Sequence, residues 1–245
     1  MKGLGLLEQA RALAQEAGDR EQLSHVCNSL GAYNWWQGEH AKAIAEYEQA
    51  RAVAVERSHR QNEGRACANL GLCYMSLKEY DKAIELFQQA LAIDEELGIR
   101  SVQASNRVSL GRCLSRHGQY DRAVACLKQA WAGFQELGDA GSKPLAAWVL
   151  GEALWAQARA EHHQAAPHAT TSCCSVSVTA TDTLRDAETW LRTAIDLAVQ
   201  QKVTNFRMEV QIHLACVATL KGDENEWMMK VLQRRAPEDG AEWRG

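Results

Sequence analysis

The chain has 245 residues, 46% of them apolar and 24% charged, which is an ordinary composition for a globular protein. Its formal net charge of −4 provides no long-range attraction for phosphate backbones, so we expect no nucleic acid among its partners. No apolar stretch approaches the roughly 18 residues of a membrane span, and the N-terminal apolar run meets Glu8 too early for a secretory signal. We therefore expect no membrane association either.

The first predicted element is a helix over residues 3–17, in which Gly3, Leu7 and Ala10 share one face. The chain has only three prolines and is rich in Ala, Leu, Gln and Glu, so helices are expected throughout. The spacing of this first helix matches the second helix of the repeats that follow. It is either a lone cap or the continuation of a longer array, and we favour the longer array because a lone helix leaves one flank uncovered.

A Leu-Gly pair then recurs four times with a period of forty residues, at Leu30-Gly31, Leu70-Gly71, Leu110-Gly111 and Leu150-Gly151. In the first three copies an alanine, a bulky apolar residue and a second alanine follow at helical spacing, as Ala43, Tyr47 and Ala50, then Ala83, Phe87 and Ala90, then Ala123, Leu127 and Ala130. This pattern predicts antiparallel helix pairs over residues 20–57, 60–97 and 100–137. One pair cannot bury its own apolar face, so the pairs must stack.

The fourth repeat, over residues 141–201, is interrupted, because Ala187, Leu191 and Ala194 arrive twenty-four residues late. The stretch 159–182 contains no Leu, Ile, Phe or Lys, and we expect it to be a surface insert in the turn between the two helices. A degenerate terminal cap over residues 204–234 follows, in which Leu214-Ala215 replaces the Leu-Gly pair. The prediction is therefore about eleven helices in all.

The insert also holds residue types that zinc accepts, namely His162, His163, His168, Cys173 and Cys174. Their spacing matches no recognised zinc motif, so we expect no metal. Four other cysteines, Cys27, Cys67, Cys73 and Cys113, occupy small apolar positions inside the repeats, which is the usage of a reducing compartment. We expect a cytoplasmic protein.

These motifs resemble the tetratricopeptide repeat family, most closely in the second repeat, where Cys67-x2-Leu70-Gly71-x2-Tyr74 precedes Ala83-x3-Phe87-x2-Ala90. The forty-residue length is similar to the repeats of kinesin light chains and of the Leu-Gly-Asn repeat adaptors. The resemblance implies an all-α, right-handed superhelical solenoid that forms a single domain over residues 1–245. It also implies that the first helix of each pair lines a concave groove where a ligand binds.

Counting from each Leu-Gly pair gives twelve groove candidates: His25, Asn28, Trp35, Arg65, Asn69, Met75, Ser109, Arg112, Arg116, Trp148, Glu152 and Trp155. Arg112 and Arg116 are one helical turn apart and can hold a carboxylate together. The tryptophans either anchor apolar partner groups or pack between repeats, and both interpretations stay open. Trp36 and Trp190 are interpreted as core residues.

The sequence contains no glycine-rich phosphate loop, no His-Glu-x-x-His helix and no nucleophile elbow, so we expect neither an enzyme nor a cofactor. The favoured function is a scaffold or adaptor that binds a peptide or helix of a partner protein, with acidic residues as the preferred ligands of the arginines. Two alternatives remain: a structural subunit of a cytoskeletal or ciliary assembly, and a regulator that responds to a small ligand.

Overall fold

A computed structural model of the chain describes residues 2–165 and 178–201, and within these ranges all the regular secondary structure is α-helical. The expected all-α fold is confirmed. The described residues form nine helices, which are α1 Lys2–Glu16, α2 Arg20–Trp36, α3 His40–Glu56, α4 Arg60–Ser76, α5 Tyr80–Glu96, α6 Arg100–Arg116, α7 Tyr120–Glu136, α8 Lys143–Ala165 and α9 Val178–Gln200. None of these helices is long and apolar enough to cross a membrane.

The chain divides into two compact units, Met1–Leu137 and Gly138–Gly245. In the first unit, α2 to α7 each have 17 residues and begin every twenty residues, at half the predicted forty-residue period. Within each repeat the two helices pack together, as α2 with α3, α4 with α5 and α6 with α7. The first helices also contact one another, because α4 touches both α2 and α6.

Each turn of the first unit is closed by a residue with a positive φ. After α2, the Gly38 amide donates to the Trp35 carbonyl and the Glu39 amide donates to the Asn34 carbonyl, which is a Schellman motif. Four of these positions are glycines, but Ser58 (φ 55°) and Lys78 (φ 63°) adopt the same left-handed conformation. A side chain is unfavourable there, so these two turns carry strain that a glycine would relieve.

The glycines of the Leu-Gly pairs are the points of closest approach between paired helices. A Cβ added to Gly71 would lie 2.9 Å from Cε1 of Phe87, and one added to Gly111 would lie 2.5 Å from Cγ of Leu127. Each partner is the bulky residue of the same repeat, sixteen positions after the glycine. Only glycine allows the two backbones to come this near.

The interior of the first unit is apolar, and it includes the cysteines of the repeats. The four cysteines predicted to be buried, Cys27, Cys67, Cys73 and Cys113, are each 0% exposed, and all are free thiols. Burial raises the pKa of Cys73 to about 11, and it also raises that of Cys113 to about 11. These thiols therefore stay protonated and pack as small apolar groups.

One buried polar pair joins the second repeat to the third. Asn106 of α6 donates from Nδ2 to Oδ2 of Asp94 on α5 at 2.7 Å, and both side chains are buried. Burial raises the pKa of Asp94, and the hydrogen bond from Asn106 offsets part of that rise. The equivalent positions in the second-to-first junction carry Ala54 and Ala66, so this polar contact is peculiar to one junction.

In the second unit, α8 packs against α9. A Cβ on Gly151 would lie 2.7 Å from Cγ of Leu191, so Leu191 fills the place that the interrupted pattern predicts for it. Both helices have 23 residues and extend into the expected insert, because residues 159–165 belong to α8 and 178–182 to α9. Residues 166–177 and the predicted cap over 204–234 lie outside the described residues.

Candidate partner-binding face

One side of the first helices is open to solvent. On each of α2, α4 and α6, four residues at the same repeat positions are exposed or half-buried, and their spacing of four, three and four residues keeps them on one side of the helix. We call these twelve residues the open face: His25, Ser29, Ala32 and Trp36; Arg65, Asn69, Leu72 and Ser76; Ser105, Ser109, Arg112 and Arg116. Six of the sequence candidates lie on it, His25, Arg65, Asn69, Ser109, Arg112 and Arg116.

The open face has basic residues and no acidic ones. Its charged side chains are Arg65, Arg112 and Arg116, accompanied by His25, while none of its twelve positions is Asp or Glu. The whole chain, in contrast, has a net charge of −4. A face with this imbalance attracts carboxylates even though the protein as a whole does not.

Arg65 links two neighbouring first helices. Its Nη2 lies 3.1 Å from Nδ1 of His25 on α2, and the same nitrogen donates to Oδ1 of Asn62 at 2.8 Å. Because a guanidinium is only a donor, Nδ1 of His25 accepts in this arrangement. Within the described residues Nε and Nη1 of Arg65 form no hydrogen bond, so they can donate to a ligand.

The serines of the open face satisfy their hydroxyls within their own helices. Ser29, Ser76, Ser105 and Ser109 each donate to the carbonyl four residues earlier, at 3.0 to 3.4 Å. These hydroxyl groups therefore need no hydrogen-bond acceptor from a binding partner. The three arginines are the charged features of the open face.

Trp36 is the most exposed large apolar residue of the described chain, at 79%. Its interpretation as a core residue is wrong. Trp36 ends α2 on the open face, whereas Trp35, one position earlier, is half-buried against the cluster that contains Tyr47 and Cys67. The two indole rings meet edge to face with centroids 5.2 Å apart. Trp35 therefore packs between repeats and supports Trp36.

Three other candidates do not lie on the open face. Asn28 is buried, and its Nδ2 donates to the Ser24 carbonyl at 3.1 Å. Met75 is also buried. Together with Trp35, these residues occupy positions on the sides of α2 and α4 that pack against neighbouring helices. These positions are neighbours of open-face residues in sequence, but their side chains point in other directions around the helix.

The remaining three candidates belong to the second unit. Trp148, Glu152 and Trp155 are half-buried residues of α8. The guanidinium of Arg159 lies 4.9 Å from the ring centroid of Trp155, one turn further along the same helix, in a cation–π contact. Trp190 on α9, which was interpreted as a core residue, is half-buried.

Within residues 2–165 and 178–201, no group of three or more His, Cys, Asp or Glu side chains is placed to hold a metal ion. His168, Cys173 and Cys174 lie outside the described residues, as do the side chains of His162 and His163. The expectation for the insert therefore stays a prediction.

Comparisons with known proteins agree with this architecture. Residues 64–136, which contain α5, α6 and α7 with most of α4, match the sequence profile of the tetratricopeptide repeat family. No curated protein sequence matches the chain.

Several solved structures share the fold. Nearly identical repeats of a kinesin light chain from Podospora anserina superpose with a TM-score of 0.64 at 19% identity, covering 86% of this chain and 92% of that one. BtubC (BKLC) from P. vanneervenii gives 0.63 at 17% identity, covering 98% and 92%. A Rap protein complexed with competence and sporulation factor gives 0.60 at 12% identity, covering 87% and 52%.

Proposed function

We propose, from the premise that this chain is a tetratricopeptide repeat protein, that it is a non-catalytic adaptor which binds an acidic segment of a partner protein on the open face of its first unit. Proteins with this fold are generally interaction scaffolds, and one of the similar structures is a Rap protein in complex with competence and sporulation factor. The proposal extends that general role to one surface and one class of partner.

The single observation that carries the proposal is the charge of the open face. Arg65, Arg112 and Arg116 lie on adjacent helices with no acidic side chain among the twelve positions. Arg112 and Arg116 are separated by one turn of α6, so a single carboxylate or two neighbouring ones can contact both. A partner segment crossing α4 and α6 would meet all three arginines.

Trp36 supplies the apolar part of the proposed site. An indole that is 79% exposed and in edge-to-face contact with Trp35 offers a large apolar surface to a partner. Burying it against a partner loses little conformational freedom, and rigid aromatic residues of this kind dominate the energetics of many interfaces. The preferred segment therefore combines acidic residues with an apolar side chain.

The five free thiols of the described chain support a reducing compartment, such as the cytoplasm, as the place where this function is carried out. All five have their pKa raised by burial, and none is paired in a disulfide.

The test is a selection of random peptides displayed on phage against the full chain. We expect the selected peptides to be enriched in Asp and Glu together with an apolar residue. The double variant R112A/R116A should bind them roughly 10- to 100-fold more weakly, because each charge-assisted contact is worth about a factor of ten. Circular dichroism checks that the variant is folded.

The matched control is K42A/K128A, which removes the same charge from exposed positions on the second helices α3 and α7. It should bind the selected peptides as the wild type does. Peptides without acidic enrichment would contradict the proposal. Equal loss of binding in both double variants would also contradict it, because that result would reflect net charge rather than the open face.

A further inference from the structure

A second feature of the first unit is a solvent-open cleft between the N-terminal half of α6 and the C-terminal half of α7. Its volume is about 260 Å³, slightly below the roughly 300 Å³ at which small-molecule sites begin. The residues of α6 that line it, Arg100, Gln103 and Arg107, lie about half a turn around the helix from the open face. The cleft is therefore separate from the proposed partner site.

A position-by-position comparison of the three repeats explains why the cleft forms in the third. Of seven lining positions, four carry identical residues in all three repeats, and their third-repeat copies are Arg100, Gln129, Ala132 and Glu136. A fifth varies among the repeats as Leu23, Glu63 and Gln103. The remaining two are apolar in the first two repeats and lose that character in the third, and they determine the shape and charge of the cleft.

The first of these is Gly133. The equivalent residues Val53 and Ile93 are 5% and 3% exposed and fill the space between their paired helices. In the second repeat, Ile93 presses against Gly64, so that a Cβ there would lie 3.0 Å from Cγ2 of the isoleucine. Gly133 has no side chain, and only the Cβ of Ala104 compensates for the lost volume. The cleft is open because this packing residue is missing.

The second is Arg107, which replaces the fully buried Cys27 and Cys67 of the first two repeats. Its Nη1 donates to Oε1 of Gln103 at 3.0 Å, which orients the guanidinium along the cleft. A positive charge thus lines the space where the other repeats have a small apolar group. The other donors of its guanidinium remain available to a ligand.

Arg100 also differs from its counterpart in the second repeat, Arg60, which forms an ion pair. In the second repeat, Nη2 of Arg60 contacts Oε2 of Glu96 at 2.6 Å. Of the residues that the structure describes, the equivalent Arg100 and Glu136 form no such ion pair, although both line the cleft. The third repeat therefore presents two guanidinium groups and one carboxylate around an open space.

We propose that this cleft binds a small metabolite with an oxyanion at one end, a carboxylate or a phosphate, held by Arg100 and Arg107. A single guanidinium recognises either kind of oxyanion through two parallel N–H···O bonds. Glu136 also lines the cleft and repels a second negative charge, so the other polar groups of the ligand should be hydroxyl or amino groups. The amides of Gln103 and Gln129 contribute hydrogen bonds that fix its orientation.

The experiment titrates the full chain with three probes: β-alanine, which has a carboxylate and an amino end, glycerol phosphate, which has a phosphate and hydroxyls, and uncharged glycerol. Binding is measured by calorimetry and by ligand-observed NMR. We expect at least one of the two oxyanion probes to bind while glycerol does not. The probe that binds identifies whether carboxylate or phosphate is preferred.

Two variants locate the binding. R100Q should weaken it about tenfold, which is the loss of one charge-assisted contact. R107C/G133I installs the residues of the second repeat and should abolish binding, with circular dichroism as the check on folding. The matched control R60Q removes the equivalent arginine of the second repeat and should leave binding unchanged.

The proposal is overturned if neither oxyanion probe binds better than glycerol. It is also overturned if R60Q weakens binding as much as R100Q does, or if folded R107C/G133I binds as the wild type does. R100Q keeps the test decisive if R107C/G133I does not fold, since Arg100 is exposed and its replacement leaves the core intact.

Discussion

The contact between Gly111 and Leu127 allows the packing argument to be tested with a single methyl group. A Cβ on Gly111 would lie 2.5 Å from Cγ and 2.8 Å from Cδ2 of Leu127. Carbon atoms in good contact are about 3.5–4.0 Å apart, so the overlap is roughly 1 Å. Leu127 is 0% exposed, and its Cγ is a branch point that cannot turn aside. Gly111→Ala must therefore push the two helices apart or force an unfavourable rotamer.

The expected effect is the difference between two opposing terms. Overpacking a well-packed interior costs about 1–3 kcal/mol. The better helix propensity of alanine contributes up to about 1 kcal/mol in the opposite direction. The overlap of roughly 1 Å places the overpacking cost in the upper part of its range, about 2–3 kcal/mol. The net loss of unfolding free energy should therefore be about 1–2 kcal/mol, measured from urea denaturation followed by circular dichroism.

Gly5→Ala is the matched control. Gly5 is an exposed residue of α1, and a Cβ there would have no neighbour within 4 Å, so only the propensity term applies. This variant should be stabilised by up to about 1 kcal/mol. The reasoning fails if Gly111→Ala is as stable as the wild type. In a double-mutant cycle, adding L127A to Gly111→Ala should cost about 1–2 kcal/mol less than L127A costs alone.

Three further predictions concern other parts of the first unit. Lys78→Gly should stabilise the chain by about 1 kcal/mol, because Lys78 has a φ of 63°, and Gly98→Ala should destabilise it by a similar amount, both judged from urea midpoints. Asp94→Asn should stabilise the chain at neutral pH while keeping an acceptor for Asn106. Trp36→Ala should change the unfolding free energy by no more than about 0.5 kcal/mol, yet weaken the binding of the phage-selected peptides at least tenfold.

The sign of the Asp94 prediction follows from the direction of its pKa shift. Burial raises the pKa of Asp94, so the folded protein holds this proton more tightly than the unfolded chain does. Its contribution is fully present below the unfolded pKa of about 3.9 and is lost as the pH rises through the higher folded pKa. The gain from Asp94→Asn should therefore grow over that interval and level off above it. A gain that is the same at all pH values would contradict this account.

The repeat pattern predicted the fold well because it depends on periodic packing. The pattern identified Phe87 as the bulky position of its repeat and Leu191 as the delayed bulky position of the fourth, and the structure packs each against the glycine of its own Leu-Gly pair. A glycine and the bulky residue that covers it have to recur together. For that reason the sequence alone could locate both positions.

The candidate face was predicted less accurately, and the helix geometry explains why. Successive residues point about 100° apart, so an error of one position exchanges a buried side chain for an exposed one, as happened with Trp35 and Trp36. Nothing in the repeat pattern indicated that Arg107 and Gly133 line the same cleft, since they are twenty-six residues apart in sequence. Only the contact between α6 and α7 shows that they border the same cleft.

The buried thiols allow local unfolding of the first unit to be measured repeat by repeat. Cys27, Cys73 and Cys113 lie in the first, second and third repeats, each is fully buried, and burial raises the pKa of each to about 11. A thiol reagent can modify each one only while its own repeat is transiently unfolded, so the three labelling rates report three local opening free energies. Mass spectrometry of the labelled wild-type protein would thus show whether the repeats unfold locally one at a time or together.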